Sequence, residues 1–129
     1  MDPKAILAVA LGGSIGAVLR FIVGQLALQR FGPGFPWGTA FINVSGSFLI
    51  GLVAQLAATR AFGMTPTLRL FAVTGILGGY TTFSAFSLET LTLLGEGAPL
   101  VAALYAGGSV AIGVLAAFAG TILGRIASP

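Results

Sequence analysis

The sequence predicts an all-α membrane protein with four transmembrane helices, the third of which is broken near the bilayer midplane. Of the 129 residues, 57% are hydrophobic and 7% are charged, and the mean hydropathy is +1.05. A soluble domain carries about 25% charged residues. The apolar residues form four stretches, each long enough to cross a hydrocarbon core of about 30 Å as a helix. One stretch contains a segment rich in glycine and threonine that is typical of a loop.

The first two stretches predict ordinary spanning helices. The first covers about residues 5–28 and contains Arg20. The second covers about residues 37–58 and begins at Trp37, a residue type that favours the membrane–water interface. Asn43 is the clearest polar residue inside this second span.

The third stretch covers about residues 68–94 and is interrupted near 75–83, and the fourth covers about 100–123. Clustered glycines followed by β-branched threonines interrupt a helix. Backbone groups freed in this way are costly in hydrocarbon unless they are satisfied. The pattern therefore predicts two half-helices that meet at a site lined by protein or water. In this interpretation residues 1–129 form a single domain.

Four spans place both termini on the same side of the membrane. Lys4, Arg60, Arg69 and Arg125 lie near the span ends on that side, against Arg30 on the other. Because cytoplasmic loops carry the excess of Lys and Arg, we expect the termini in the cytoplasm. The asymmetry is small and is compatible with insertion in both orientations.

Small residues recur at four-residue spacing in three spans. Such stripes let helices approach closely in lipid, and they predict a compact, oligomeric bundle. The residues are Gly12 and Gly16 in the first span, Ser47 and Gly51 in the second, and two runs in the fourth, Ser109, Gly113 and Ala117 and then Gly120 and Gly124.

The composition excludes several functions. The chain has no Cys and no His, so it lacks thiolate and imidazole ligands and the usual catalytic bases. We predict that it is not an enzyme and uses no organic cofactor. The net charge of +3 comes from scattered residues, which predicts no nucleic-acid partner.

The interrupted segment offers ligands of both signs. Carbonyls freed by unwinding, for instance those of Gly78 and Thr81, can coordinate a small cation. Free N–H groups and hydroxyls can donate to an anion; the hydroxyls are those of Thr81, Thr82, Ser84 and Ser87. The alternative is a glycine kink whose threonines bond back to their own helix.

Five further side chains are candidates for contact with an ion. Phe83 and Phe86 share a helix face and can turn positive ring edges toward an anion, although lipid contact or core packing is the commoner role of such rings. Asn43 offers two N–H donors, with an interhelical hydrogen bond as the alternative. Tyr105 and Ser109 add hydroxyls four residues apart, unless they only join helices.

Arg20 and Glu89 are charged residues inside predicted spans. A charge at such a position is by default a functional hypothesis. Arg20 can instead extend to the lipid headgroups. Glu89 can pair with a cation, cap a hydrogen-bond network or face water.

Three motifs resemble those of the fluoride channel family called Fluc or CrcB. In chain order they are Gly12-Gly13-x-x-Gly16-Ala17-x-x-Arg20-Phe21, Gly38-Thr39-x-x-x-Asn43-x-x-Gly46-x-x-x-x-Gly51, and Gly75-x-x-Gly78-Gly79-x-Thr81-Thr82-Phe83-Ser84-x-Phe86-Ser87. One motif lies on each of the first three spans.

The resemblance implies an antiparallel, dual-topology homodimer in the cell inner membrane that exports cytoplasmic fluoride passively, down its electrochemical gradient. It implies a structural sodium ion held by the backbone carbonyls of Gly78 and Thr81 of each subunit. It implies two pores lined by Asn43, Thr82, Phe83, Ser84, Phe86, Tyr105 and Ser109, with Arg20, Thr39, Ser87 and Glu89 near the entrance or polar track. Gly113 departs from the family pattern, because some members have a serine there.

Two other functions are alternatives. A proton-coupled transporter of the small multidrug type is also a four-helix antiparallel dimer, but it needs a carboxylate in the first span, where this chain has Arg20. A structural subunit would use its glycine stripes only to dock helices. Neither alternative explains the run from Thr81 to Ser87.

Overall fold

The described part of the chain is almost entirely helical. The computed structural model describes residues 2–59 and 63–128, so Arg60, which contributes to the predicted charge asymmetry, lies outside the described residues. Within them, four helical segments are long and apolar enough to cross a membrane: Pro3–Phe31, Trp37–Ala58, Pro66–Gly95 and Pro99–Ile126. This confirms the prediction of an all-α fold with four helices of spanning length.

The third of these segments is a series of shorter elements. The first two segments are single helices, α1 (Pro3–Phe31) and α2 (Trp37–Ala58). The third consists of α3 (Pro66–Arg69), a π-helix termed π1 (Leu70–Leu77), α4 (Gly78–Tyr80) and α5 (Phe83–Gly95). The fourth is α6 (Pro99–Ile126).

Local sequence explains several helix ends. The Asp2 carboxylate accepts a hydrogen bond from the Lys4 backbone N–H at 3.0 Å and caps α1. Gly32 ends this helix with a φ of 75°, which a residue with a side chain rarely adopts. Gly97, with a φ of 76°, turns the chain after α5, and Pro99 occupies the first position of α6.

The interruption of the third segment consists of two threonines. Thr81 (φ −77°, ψ 158°) and Thr82 (φ −151°, ψ 119°) are extended, and helix resumes at the following residue. Gly75, Gly78 and Gly79 are helical. The interruption is therefore narrower than the predicted range 75–83 and is confined to the two threonines.

Close packing against α1 explains two of these glycines instead. A Cβ atom on Gly75 would lie 2.8 Å from the Cα of Gly12, and one on Gly79 would lie 2.6 Å from the carbonyl oxygen of Gly13. In the reverse direction, a Cβ on Gly16 would overlap the carbonyl oxygen of Ile76. The backbones of α1 and the third segment thus touch, and no side chain fits between them.

Helices α2 and α6 dock in the same way. A Cβ atom on Gly51 would overlap the carbonyl oxygen of Ala117, and one on Gly120 would overlap that of Phe48. These contacts confirm the prediction that the small-residue stripes bring helices together. The extended threonines belong to the first of two tightly docked pairs, α1 with the third segment and α2 with α6, and Thr82 contacts the second pair through Asn43 of α2.

Candidate functional site

The interruption opens onto a cavity of about 350 Å³. We call it the break cavity. It lies between α2, the third segment and α6. Seven residues that the sequence predicted as a site line it together: Asn43, Gly78, Thr81, Thr82, Phe83, Phe86 and Ser109. Among the described residues that line it, none carries a charge.

Asn43 holds the interrupted backbone in place. Its Nδ2 donates to the carbonyl oxygen of Thr82 at 3.0 Å, and the Thr82 backbone N–H donates to Asn43 Oδ1 at 2.8 Å. In a continuous helix this N–H would bond to the Gly78 carbonyl. The side-chain amide thus satisfies both backbone groups of a residue that has left the helix. This is the interhelical hydrogen bond that the sequence analysis gave as the alternative to ion contact for Asn43. The Nδ2 atom retains a second N–H beside the cavity.

Thr82 begins the second half of the broken segment. Its Oγ1 accepts a hydrogen bond from the Ala85 backbone N–H at 3.2 Å and so caps α5. The Ser84 hydroxyl lies 3.3 Å from the same oxygen. The buried Thr82 side chain is therefore fixed by local bonds at the edge of the cavity.

The hydroxyls of Thr81 and Ser87 bond back to their own helices. Thr81 Oγ1 donates to the Leu77 carbonyl at 3.0 Å, and Ser87 Oγ donates to the Phe83 carbonyl at 2.9 Å. A hydroxyl has one proton to donate. Both protons are engaged in this arrangement, as in the alternative that the sequence left open for the threonines.

Aromatic rings continue the wall of the cavity. The ring centroids of Phe83 and Phe86 lie 5.6 Å apart, and those of Phe86 and Tyr105 lie 5.3 Å apart. Phe86 is half-buried, whereas Phe83 is 78% exposed. In a single chain one side of the ring pair thus remains uncovered.

Glu89 joins two hydroxyls away from the interruption. Thr39 Oγ1 donates to Glu89 Oε1 at 2.7 Å, and the Tyr105 hydroxyl donates to Glu89 Oε2 at 2.6 Å. Both distances lie within the usual range of O–H···O hydrogen bonds. Of the three roles that the sequence left open for Glu89, this structure shows the hydrogen-bond network. Thr39 and Glu89 line a second cavity of about 340 Å³, together with Glu96.

Arg20 connects α1 to the interruption. Its Nη1 donates to the Thr81 carbonyl oxygen at 3.4 Å, a long and therefore weak bond. The guanidinium thus contacts the interrupted backbone within the protein. The same oxygen is one of the carbonyls for which the sequence predicted a cation, and it retains a second lone pair.

The sequence predictions did not include Ser47, Tyr80 or Ser45 as members of the site. Ser47 lines the break cavity with Asn43 and Ser109, although its spacing assigned it only to a packing stripe. Its position four residues after Asn43, on the same face of α2, was the available signal. The hydroxyls of Tyr80 and Ser45 lie 3.0 Å apart and join the third segment to α2.

Known proteins share nearly the whole length of this chain. The family model described as CrcB-like protein, Camphor Resistance (CrcB), matches residues 7–121. A relative from Rhizobium meliloti (strain 1021), named Fluoride-specific ion channel FluC, is 52% identical over 120 residues, which cover 93% of this chain and 95% of the relative. A relative of the same name from Hyphomonas neptunium (strain ATCC 15444) is 53% identical over 119 residues, covering 92% and 94% of the two chains.

The relatives are named as ion channels, which confirms the prediction that this chain is not an enzyme. The three motifs that carried the resemblance all lie within the matched residues. With a family match over most of its length and relatives about half identical to it, the chain belongs to the CrcB family.

Proposed function

We propose that this chain forms a fluoride-specific ion channel and that the break cavity is part of the ion path. Relatives that cover almost the full chain carry that name. The observation that carries the proposal is the lining of the cavity, which combines an amide, hydroxyls and aromatic rings and has no charged side chain among the described residues.

This lining suits a small, strongly hydrated anion. A pore for such an ion has to replace its hydration shell by several donors, and it has to release the ion again. The second N–H of Asn43, the Ser109 hydroxyl and the positive ring edges of Phe83 and Phe86 are all neutral. They can stabilise fluoride along the path, whereas a fixed positive charge would bind it too tightly for rapid conduction.

The proposed assembly is an antiparallel homodimer in the cell inner membrane. The exposed face of Phe83 supports it, because a second copy of the chain would cover this ring and close the cavity. The small charge asymmetry is compatible with insertion in both orientations. Conduction is passive, and a negative-inside membrane potential drives the anion out of the cytoplasm.

A sodium ion at the dimer centre completes the proposal, held by the carbonyl oxygens of Gly78 and Thr81 of each subunit. Two features of the chain fit this role. The N–H that would occupy the Gly78 carbonyl in a continuous helix bonds to Asn43 instead. Thr81 is extended, so its carbonyl lies outside the helical bonding pattern. Carbonyl oxygens suit hard cations, and the ion would supply positive charge near the path without a cationic side chain in the cavity.

Liposomes that contain the purified protein are expected to release fluoride and to retain chloride. A fluoride electrode and a chloride electrode measure the two rates in matched vesicles, with a potassium ionophore to balance charge. Protein-free liposomes give the background leak. Equal rates for the two anions would contradict fluoride specificity, and fluoride release at the background rate would contradict conduction.

Removal of sodium is expected to weaken both the dimer and the flux. Extended dialysis of the protein into N-methylglucamine, a cation too large for a carbonyl cage, should lower the temperature at which the dimer dissociates, and return of sodium should restore it. Size-exclusion chromatography after heating measures dissociation independently of conduction. The same thermal stability and flux after full exchange would contradict the sodium site.

A further inference from the structure

Ser47 lies on the wall of the break cavity and faces Gly113 of α6. Ser47 lines the cavity, and a Cβ atom on Gly113 would lie 3.5 Å from the Ser47 Oγ. Four residues later in each helix, Gly51 of α2 lies against the backbone of Ala117 of α6. The two helices therefore run side by side in one register. Asn43 and Ser109 each precede this pair by four residues, which places Ser47 one helical turn along the cavity wall.

Along α6, Tyr105 and Ser109 each carry a hydroxyl, and the next residue at this four-residue spacing is Gly113, which has no side chain. At the level of Gly113, the neighbouring helix α2 presents the hydroxyl of Ser47. Ser47 Oγ is the one atom found within 4 Å of a Cβ placed on Gly113, so a small side chain at Gly113 would fit there and would touch the Ser47 hydroxyl.

The Ser47 hydroxyl is also free to donate. Nearby hydroxyls are engaged within their own helices: Ser45 donates to the Phe41 carbonyl at 2.7 Å, and Thr81 and Ser87 donate to backbone carbonyls as described above. The hydrogen bonds found within residues 2–59 and 63–128 leave the hydroxyls of Ser47 and Ser109 without a partner. No fully buried side-chain polar atom in those residues lacks a hydrogen-bond partner, so the two unpartnered hydroxyls are accessible, and both belong to residues that line the break cavity.

We infer that the Ser47 hydroxyl donates to the permeating fluoride ion, one helical turn beyond Asn43, and so continues on α2 the row of hydroxyls that stops at Ser109 on α6. The inference rests on the proposed fluoride conduction. A partly buried hydroxyl with no protein partner is costly in a low-dielectric setting, and water or a passing anion in the cavity satisfies it.

The test compares fluoride efflux from liposomes for three variants. Ser47→Ala removes the hydroxyl and is expected to slow efflux about tenfold, the effect of losing one hydrogen bond to an ion. Ser14→Ala is the matched control, because Ser14 donates to the Ala10 carbonyl on the exposed side of α1 and its loss should leave the rate unchanged. Ser47→Ala combined with Gly113→Ser returns a hydroxyl to the same level from α6 and is expected to recover most of the wild-type rate.

The outcomes separate this inference from the proposed function. Wild-type protein that does not release fluoride overturns the proposed function. Wild-type protein that releases fluoride, with Ser47→Ala at the wild-type rate or with no recovery in the double variant, overturns the inference alone. Size-exclusion chromatography checks that each variant assembles. If Ser47→Ala does not assemble, Ser47→Cys keeps the size of the side chain with a weaker donor and is expected to slow efflux as well.

Discussion

Replacement of Asn43 by alanine is expected to lower fluoride flux about 100-fold or more. The side chain satisfies the N–H and the carbonyl of Thr82 and also lines the break cavity. Each buried backbone group left without a partner costs about 1–3 kcal/mol, and every 1.4 kcal/mol corresponds to about tenfold in an equilibrium. The loss therefore destabilises the interrupted backbone and removes a donor from the path at the same time.

Hydrogen exchange distinguishes the two effects of this substitution. In Asn43→Ala the backbone N–H of Thr82 should exchange faster than in the wild type. Asn43→Asp keeps an acceptor for that N–H, so its exchange should stay slow, but the carboxylate repels fluoride and flux should still fall. Gln55→Ala, which removes an amide from the same helix, is the control and should change neither measurement. Wild-type flux in Asn43→Ala would place this residue outside the ion path.

Replacement of Gly16 by alanine is expected to destabilise the protein by about 1–3 kcal/mol or more, the typical cost of forcing extra atoms into a packed contact. A Cβ atom at this position would overlap the carbonyl oxygen of Ile76 and would lie 2.8 Å from the backbone nitrogen of Tyr80. Since both obstacles are backbone, no side-chain rotation relieves the clash. Helix α1 has to move away from the third segment, and the Arg20 contact with Thr81 should be lost with it.

Gly13 provides a control within the same helix. A Cβ atom on Gly13 meets no atom within 4 Å, so Gly13→Ala should leave the free energy of unfolding of this chain nearly unchanged. Titration with a denaturing detergent, followed by circular dichroism, compares the two variants with the wild type. Equal stability of Gly16→Ala and Gly13→Ala would contradict the close packing of α1 against the third segment.

The spanning helices could be predicted from sequence because they depend on local composition. An apolar stretch of sufficient length forms a helix in lipid whatever its neighbours are, since the backbone has to satisfy itself. Each of the four helical segments accordingly begins and ends within three residues of its predicted bounds. The π-helical geometry of Leu70–Leu77 had no such local signal.

The roles of the glycines could not be predicted in the same way. A glycine within a helical pattern permits either a bend or a close approach by another backbone. Which of the two occurs at Gly75 and Gly79 depends on the approach of the α1 backbone at Gly12 and Gly13. These residues lie more than 60 positions earlier in the sequence. The spacing in α1 showed that a partner helix was needed, but it did not identify the partner.

The candidate site was predicted as a set of residues but not as an arrangement. The family resemblance implied that Asn43, Phe83, Phe86 and Ser109 line one pore, and in the structure they line one cavity. It did not show that Asn43 bonds to Thr82, because a side-chain amide has many potential partners within a bundle. Likewise, the positions of Thr39 and Tyr105 around Glu89 follow from the packing of α2, α5 and α6.

The docking of α2 against α6 has a consequence for biogenesis. The face of α2 that carries Gly51 meets Ala117 in α6, 66 residues later in the sequence, so this pair can form only after α6 has been synthesised. Before α6 is present, the face of α2 that carries Gly51 lacks the helix that covers it in this structure. The α2–α6 pair therefore assembles later than the pair of α1 with the third segment can. A chain that stops before α6 would therefore leave the glycine face of α2 without the partner helix that it contacts in this structure.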